Sequence, residues 1–122
     1  AFSSLSLEPP MIMVALDRGS ALLAMLKRSK RFGVNVLSHK HAGIAARFAD
    51  HARDRFGGLD WNIDCGLPRI ADAPVWLACD VTDVFEGGDH LVTLGSVVTA
   101  ETEPANPLTY HRRTFGTHHA LE

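Results

Sequence analysis

Residues Met11 to Leu16 form an unbroken apolar run behind Pro9-Pro10, which predicts a strand buried on both sides with the prolines at its start. Asp17-Arg18-Gly19-Ser20 breaks the run, and Ser20 is placed to cap a helix with Leu22, Leu23, Met25 and Leu26 on its apolar face, ending near Arg31. A short strand follows over Phe32 to Leu37. Ser38 can cap a second helix, whose Ile44, Phe48, Ala52 and Phe56 recur every fourth residue and share one stripe. Gly57-Gly58 is its expected stop. Leu59 to Pro74 lacks a clear period and reads as a loop, with a short edge strand around Arg69-Ile70.

From Val75 the pattern alternates. Val75, Leu77, Cys79, Val81 and Phe85 take one face and Trp76, Ala78, Asp80 and Thr82 the other, as in a half-buried strand. Glu86-Gly87-Gly88-Asp89 is a turn, and His90 onward returns as the second arm of a hairpin. Pro104 to Pro107 turns the chain again before a last strand-like stretch, Leu108 to Phe115. Two helices beside mostly antiparallel strands give an α+β, mostly β domain, and a small barrel is the economical way to close such strands.

Composition narrows the class. With 122 residues, 46% hydrophobic and 21% charged, the chain suits one domain with an ordinary core. A net charge of −2 carries no electrostatic footprint for nucleic acid. No apolar run reaches the roughly 20 residues needed to span a bilayer. No basic-then-apolar leader is present, so a cytoplasmic protein is expected. Lys27, Arg28, Lys30 and Arg31 read as a solvated helix end, and Cys79 as a small core residue. His39 and His41 lack further ligands at metal-site spacing, so no metal is expected. The chain starts at Ala1 and enters a strand almost at once, which leads us to expect upstream strands. Residues 1–117 are read as the domain and 118–122 as an appended tail.

Four segments carry a resemblance. They are Phe2-Ser3-Ser4-Leu5-Ser6-Leu7-Glu8-Pro9-Pro10-Met11, Arg31-Phe32-Gly33-Val34-Asn35-Val36-Leu37, Gly88-Asp89-His90 with Gly95 beyond it, and Pro107-Leu108-Thr109-Tyr110-His111-Arg112. In order and spacing the set resembles the flavin reductase family, the small components that feed reduced flavin to two-component monooxygenases. Ala46-Arg47-Phe48-Ala49 adds a smaller agreement. The resemblance implies an FMN-binding split β-barrel with two to three flanking helices, and N-terminal strands of that barrel are expected upstream of this chain. It implies an oxidoreductase moving a hydride from NADH or NADPH to FMN or FAD, a homodimer, and a partner monooxygenase. The alternatives are a non-catalytic flavin- or haem-binding module and a structural dimerisation domain.

Such chemistry needs little acid–base machinery, because the cofactors carry the reactive atoms. By resemblance, Phe2, Ser3 and Ser4 lie along the isoalloxazine, or else merely open a serine-rich strand. Arg18 and Ser20 sit at a helix N-terminus, where free amides and a hydroxyl suit a phosphate. The other reading is a plain cap beside a solvated arginine, with Lys27 and Arg31 as weaker phosphate alternates. Asn35 interrupts an apolar strand and either serves a ligand or pins a neighbouring loop. Arg47 reaches an adenine or phosphate if the flavin is FAD, or is simply solvated. His90, just after a turn, is the catalytic candidate, stabilising negative charge that develops on the reduced flavin. Tyr110 and His111 would wall the ring and Arg112 would meet a nicotinamide-nucleotide phosphate, with Tyr110 as simple core the competing assignment.

Overall fold

The computed structural model describes residues 1–50 and 54–122. In chain order its elements are β1 (Phe2–Ser6), β2 (Met11–Asp17), α1 (Ala21–Ser29), β3 (Arg31–Val36), a 3-10 turn (His39–His41), α2 (Ala42–Ala49), β4 (Trp61–Asp64), β5 (Leu67–Ile70), β6 (Val75–Gly87), β7 (His90–Thr102), β8 (Leu108–His111) and β9 (Thr114–Thr117). They fall into two compact units, Ala1–Gly33 with Leu77–Ala100, and Val34–Trp76 with Glu101–Glu122.

The first unit is built on a five-stranded sheet in the order β1-β2-β7-β6-β3. The sheet is open: among the described residues β1 and β3 are its edges, where barrel closure was expected. β2 pairs antiparallel with β7 over its whole length, from Met11 opposite Ser96 to Asp17 opposite His90. Only Ile12 of β2 is fully buried, so this strand is half-covered rather than buried on both sides. α1 begins as its sequence predicts, with the Ser20 hydroxyl accepting from the Leu23 amide at 3.4 Å. It ends two residues earlier than expected, because Lys30 adopts φ 58° and its amide closes onto the Leu26 carbonyl. Leu23 and Leu26 are buried while Leu22 and Met25 stay half exposed, so the apolar stripe is narrower than the sequence suggests.

Gly95 shows how tightly this core is packed. A Cβ there would sit 2.5 Å from Phe32 Cζ and 3.1 Å from Cys79 Cβ, so β7 and Phe32 meet only because the side chain is absent. Cys79 is a core residue as expected, and burial, aided by the Asp80 charge, pushes its thiol up to about 11.

The second unit differs more from expectation. Ser38 caps the 3-10 turn instead of the helix proper, its hydroxyl accepting from Lys40 N while His41 Nδ1 accepts from Ser38 N at 3.1 Å. α2 stops at Ala49, where Asp50 leaves helical geometry and its amide closes on the Ala46 carbonyl. The stripe predicted to run on to Phe56 therefore ends early; Ala52 lies outside the described residues. Phe56 still meets Phe48 edge-on, with ring centres 5.0 Å apart, and continues to Trp61.

Instead of a loop, residues 61–70 form a hairpin, β4 against β5, turned at Cys65-Gly66 with both φ values positive. Arg69 Nη1 donates to Asp64 at 2.8 Å and also reaches Glu101, and its guanidinium lies 5.6 Å from the Trp76 ring centre. That hydrogen bond holds the Asp64 carboxyl below its ordinary value. Trp76, expected on the open face of its strand, is fully buried. β8 and β9 make a second ribbon where one strand was expected, with Arg112 and Arg113 as its two-residue turn.

Candidate functional site

In the first unit, two of the segments singled out in the sequence come together at one end of the sheet. Asp17 pairs with His90, the Arg18 amide donates to the Asp89 carbonyl at 3.3 Å, and Arg18 Nε donates to the Gly88 carbonyl at 3.1 Å. The Arg18 guanidinium also meets Glu86 at 3.4 Å. The pair is well exposed, so water screens it and an incoming anion can compete for the arginine.

β1 brings its first residues toward the same end. Phe2 pairs with Val14 and the Ala15 amide donates to the Ala1 carbonyl, so Phe2 lies about three residues, or roughly 10 Å, along β2 from Asp17. Ser3 and Ser4 pair with Met13 and Ile12, and the Ser3 hydroxyl donates to the Ser4 carbonyl at 2.9 Å. Phe2 is about half exposed.

α1 opens directly behind Arg18. Ser20 N donates to the Asp17 carbonyl and Gly19 N to Asp17 Oδ1 at 2.9 Å, which closes the strand-to-helix corner. The Ala21 and Leu22 amides lie ahead of the first intrahelical bonds, and no acidic residue occupies that first turn. This is the arrangement that suits a phosphate. The Asp17 carboxylate is the one negative group within the corner, and it is turned onto Gly19 N.

His90 Nδ1 lies 2.7 Å from Asp89 Oδ1. The hydrogen bond, followed by the imidazole's charge, holds the Asp89 carboxyl below its ordinary range. An ionised Asp89 can only accept, so Nδ1 carries the proton and Nε2 is the nitrogen left for chemistry. Asp89 belongs to the Gly88-Asp89-His90 segment but was given no site role from the sequence; its place directly before a candidate histidine was the available signal.

In the second unit Asn35 is consumed by structure. Its Oδ1 accepts from Ile70 N at 2.8 Å and its Nδ2 donates to the Pro68 carbonyl at 3.4 Å, so it pins β5, the loop-pinning alternative in the sequence reading. Arg47 Nη2 donates to the Gly57 carbonyl and likewise has a structural partner. Tyr110 is 64% exposed, which removes the simple-core assignment, and its ring lies 4.9 Å from that of Phe115 directly across the ribbon. His111 and Arg112 are exposed beside it. Arg113 and Phe115, absent from the sequence-derived set, join Tyr110 and α2 around a cleft of about 560 Å³. A second cleft, of about 720 Å³, is lined by His39, Lys40, His41, Asp72 and Glu103. Among the described residues no His, Cys, Asp or Glu cluster is placed to hold a metal, and no helix is long and apolar enough to cross a membrane.

Comparison with known proteins identifies the family. The flavin reductase like domain matches residues 1–119. A flavin reductase of Pseudomonas putida is 36% identical over 118 residues, covering 95% of this chain and 69% of the relative. The reductase subunit HsaB of a flavin-dependent monooxygenase from Mycobacterium tuberculosis is 36% identical over 119 residues, covering 94% of this chain and 64% of that protein. The NADH:FAD oxidoreductase SgcE6 of Streptomyces globisporus, solved in complex with NAD and FAD fragments, superposes with a TM-score of 0.90 at 33% identity, over 94% of this chain and 72% of the other. The chain spans 38 to 69% of the length of the curated relatives it matches. Its mostly β fold with two helices is the split-barrel fold of flavin reductases, with the sheet open rather than closed. By sequence and by fold alike, the chain belongs to the flavin reductase like family.

Proposed function

We propose that this chain carries the flavin site of an NAD(P)H:flavin oxidoreductase that hands reduced FMN or FAD to a partner monooxygenase. The observation that carries the proposal is the joining of the Asp17–Ser20 corner to the Gly88–His90 turn at one end of the sheet. A bound flavin supplies the hydride acceptor and NADH or NADPH the donor, so the chain's task is to hold and orient them. Ser20, the first amides of α1 and Arg18 would hold the flavin phosphate. Phe2, Ser3 and Ser4 would lie along the ring. His90 Nε2, oriented through Asp89, would meet the edge on which negative charge develops. Tyr110, His111 and Arg112 would serve the nicotinamide nucleotide. Homodimerisation and a cytoplasmic location belong to the same proposal, as does the domain reading of residues 1–117.

The test is NADH oxidation dependent on added FMN or FAD, with one flavin reduced per NADH without oxygen. His90→Gln should lower kcat by about tenfold to a hundredfold while flavin still binds. A chain that binds flavin but leaves NADH and NADPH untouched is a binding module, and the proposal fails.

A further inference from the structure

At the corner where α1 opens, a carboxylate already sits on the arginine. Arg18 Nε is anchored on the Gly88 carbonyl at 3.1 Å. The remaining donors of the guanidinium are on Nη1 and Nη2, and both nitrogens reach the same oxygen, Glu86 Oε1, at 3.4 Å. Charge-assisted hydrogen bonds from arginine to a carboxylate run at about 2.7–2.9 Å, and the strong ones use both carboxylate oxygens in parallel. The Arg18–Glu86 contact is long by that measure. One side of the guanidinium is therefore fixed to the backbone, while the other holds its anion loosely.

The acids around the corner differ in what they hold. Asp17 accepts from Gly19 N at 2.9 Å, and Asp89 is engaged with His90 at 2.7 Å. Glu86 is the acid whose partner is the arginine, and its side chain is 79% exposed. Lys27 and Arg28 stand in the last turn of α1, at the far end of the helix from the corner. The full positive charge offered to an anion at the first turn thus comes from Arg18, and Glu86 stands against it. A phosphate monoester carries about −1.5 to −2 charge near neutral pH, more than one carboxylate, so it can take the guanidinium only by displacing or crowding Glu86.

We infer that Glu86 is a resident competitor of the flavin phosphate: it holds the outer nitrogens of Arg18 until a phosphate takes them, and so sets how weakly a phosphorylated flavin is kept. The inference deepens the proposed function and rests on it. Such a competitor suits a protein that hands its flavin on, because release of product is then not slowed by a tight ion pair. Hydride transfer leaves the phosphate unchanged, so Glu86 weakens oxidised and reduced FMN alike. Riboflavin lacks the phosphate and does not meet the competition.

The test compares the unaltered chain, Glu86→Gln, Arg18→Gln and the double variant, with FMN and riboflavin as probes and quenching of flavin fluorescence as the readout. Glu86→Gln keeps the size of the side chain and removes its charge at an exposed position. It should tighten FMN by about twofold to fivefold, the scale of an exposed ion pair, with riboflavin affinity unmoved. Arg18→Gln should weaken FMN and leave riboflavin as it was. Adding Glu86→Gln to Arg18→Gln should bring no further gain, because the competition needs the arginine. The gain should also fade at about 1 M salt, where exposed charges are screened.

Weaker FMN binding in Glu86→Gln would mean that Glu86 positions Arg18 for the phosphate, and would overturn the competition. Unchanged FMN affinity, an equal gain for riboflavin, or a gain that survives in the Arg18→Gln background would overturn it too. If riboflavin binds the unaltered chain as tightly as FMN, the corner holds no phosphate, and the inference falls while the flavin reading stands. If neither flavin binds, the flavin reading falls and the inference falls with it.

Discussion

Two hairpins of this chain turn in opposite styles. Between β6 and β7 the positive φ falls on Gly88, which accepts it at no steric cost, and the neighbouring groups are tied down: Arg18 to Gly88 and Glu86, His90 to Asp89. Between β8 and β9 the positive φ falls on two arginines, and among the described residues their guanidiniums are bound to nothing. The first turn uses residues suited to its geometry, and its interactions fix the position of one imidazole. The second keeps side chains unsuited to its geometry. The first turn is explained by the contacts it makes, whereas the described contacts of the second leave its two arginines to solvent.

Glycine substitutions on the returning arms should show the sharpest difference. An alanine at Gly95 on β7 would press its Cβ into Phe32 and Cys79, in a core where Phe32 is buried. Gly95→Ala should cost about 1–3 kcal/mol in denaturant unfolding, the usual range for overpacking. Gly116→Ala on β9 meets only Thr109 Oγ1 at 3.4 Å, ordinary contact, and should move stability by less than about 0.5 kcal/mol. Equal costs at the two sites would remove the packing difference between the arms.

The turns themselves can be exchanged in chemistry. Replacing Arg112-Arg113 by Asn-Gly supplies residues that accept left-handed geometry, and relief of strain at two positions should stabilise the chain by about 1–2 kcal/mol. A variant that gains no stability would mean the arginines sit without strain.

These contrasts also explain what the sequence could disclose. Ser20, the apolar run Met11–Leu16 and the Gly87-Gly88 turn follow local rules, and each element begins or turns where those rules say. The β4–β5 hairpin was missed because Cys65 stands where an Asn or Asp would announce the turn. The β8–β9 turn was missed for the same reason, since arginine is no turn residue. The length of α2 was overestimated because a spacing of four continues past Asp50 while the backbone does not. Within the candidate site, His90 and Arg18 were legible from their place beside turns and caps. Asp50, Arg113 and Phe115 were not, because the cleft they share with α2 arises only once the ribbon folds over, and no local pattern encodes that.

The smallest expected effect concerns the tied turn alone. His90 holds the Asp89 carboxyl below its ordinary value of 3.8, so folding favours the ionised form there. A group with a depressed folded pKa contributes stability above its unfolded value, and loses it as pH falls through the folded one. Asp89→Asn should therefore lower Tm slightly near neutral pH, and the difference from the unaltered chain should shrink as pH drops below 3.8. Asp89 is 91% exposed, so screening by water keeps the effect small. The arginine turn has no described acidic partner to protonate, and substitutions at Arg112 should show no such acid-dependent gap. Thermal melts of both variants over about pH 2–7 would separate the two cases. A gap for Asp89→Asn that widened toward acid would mean that the folded chain does not hold this carboxyl below its ordinary value, and the hydrogen bond from His90 would lose its stabilising role.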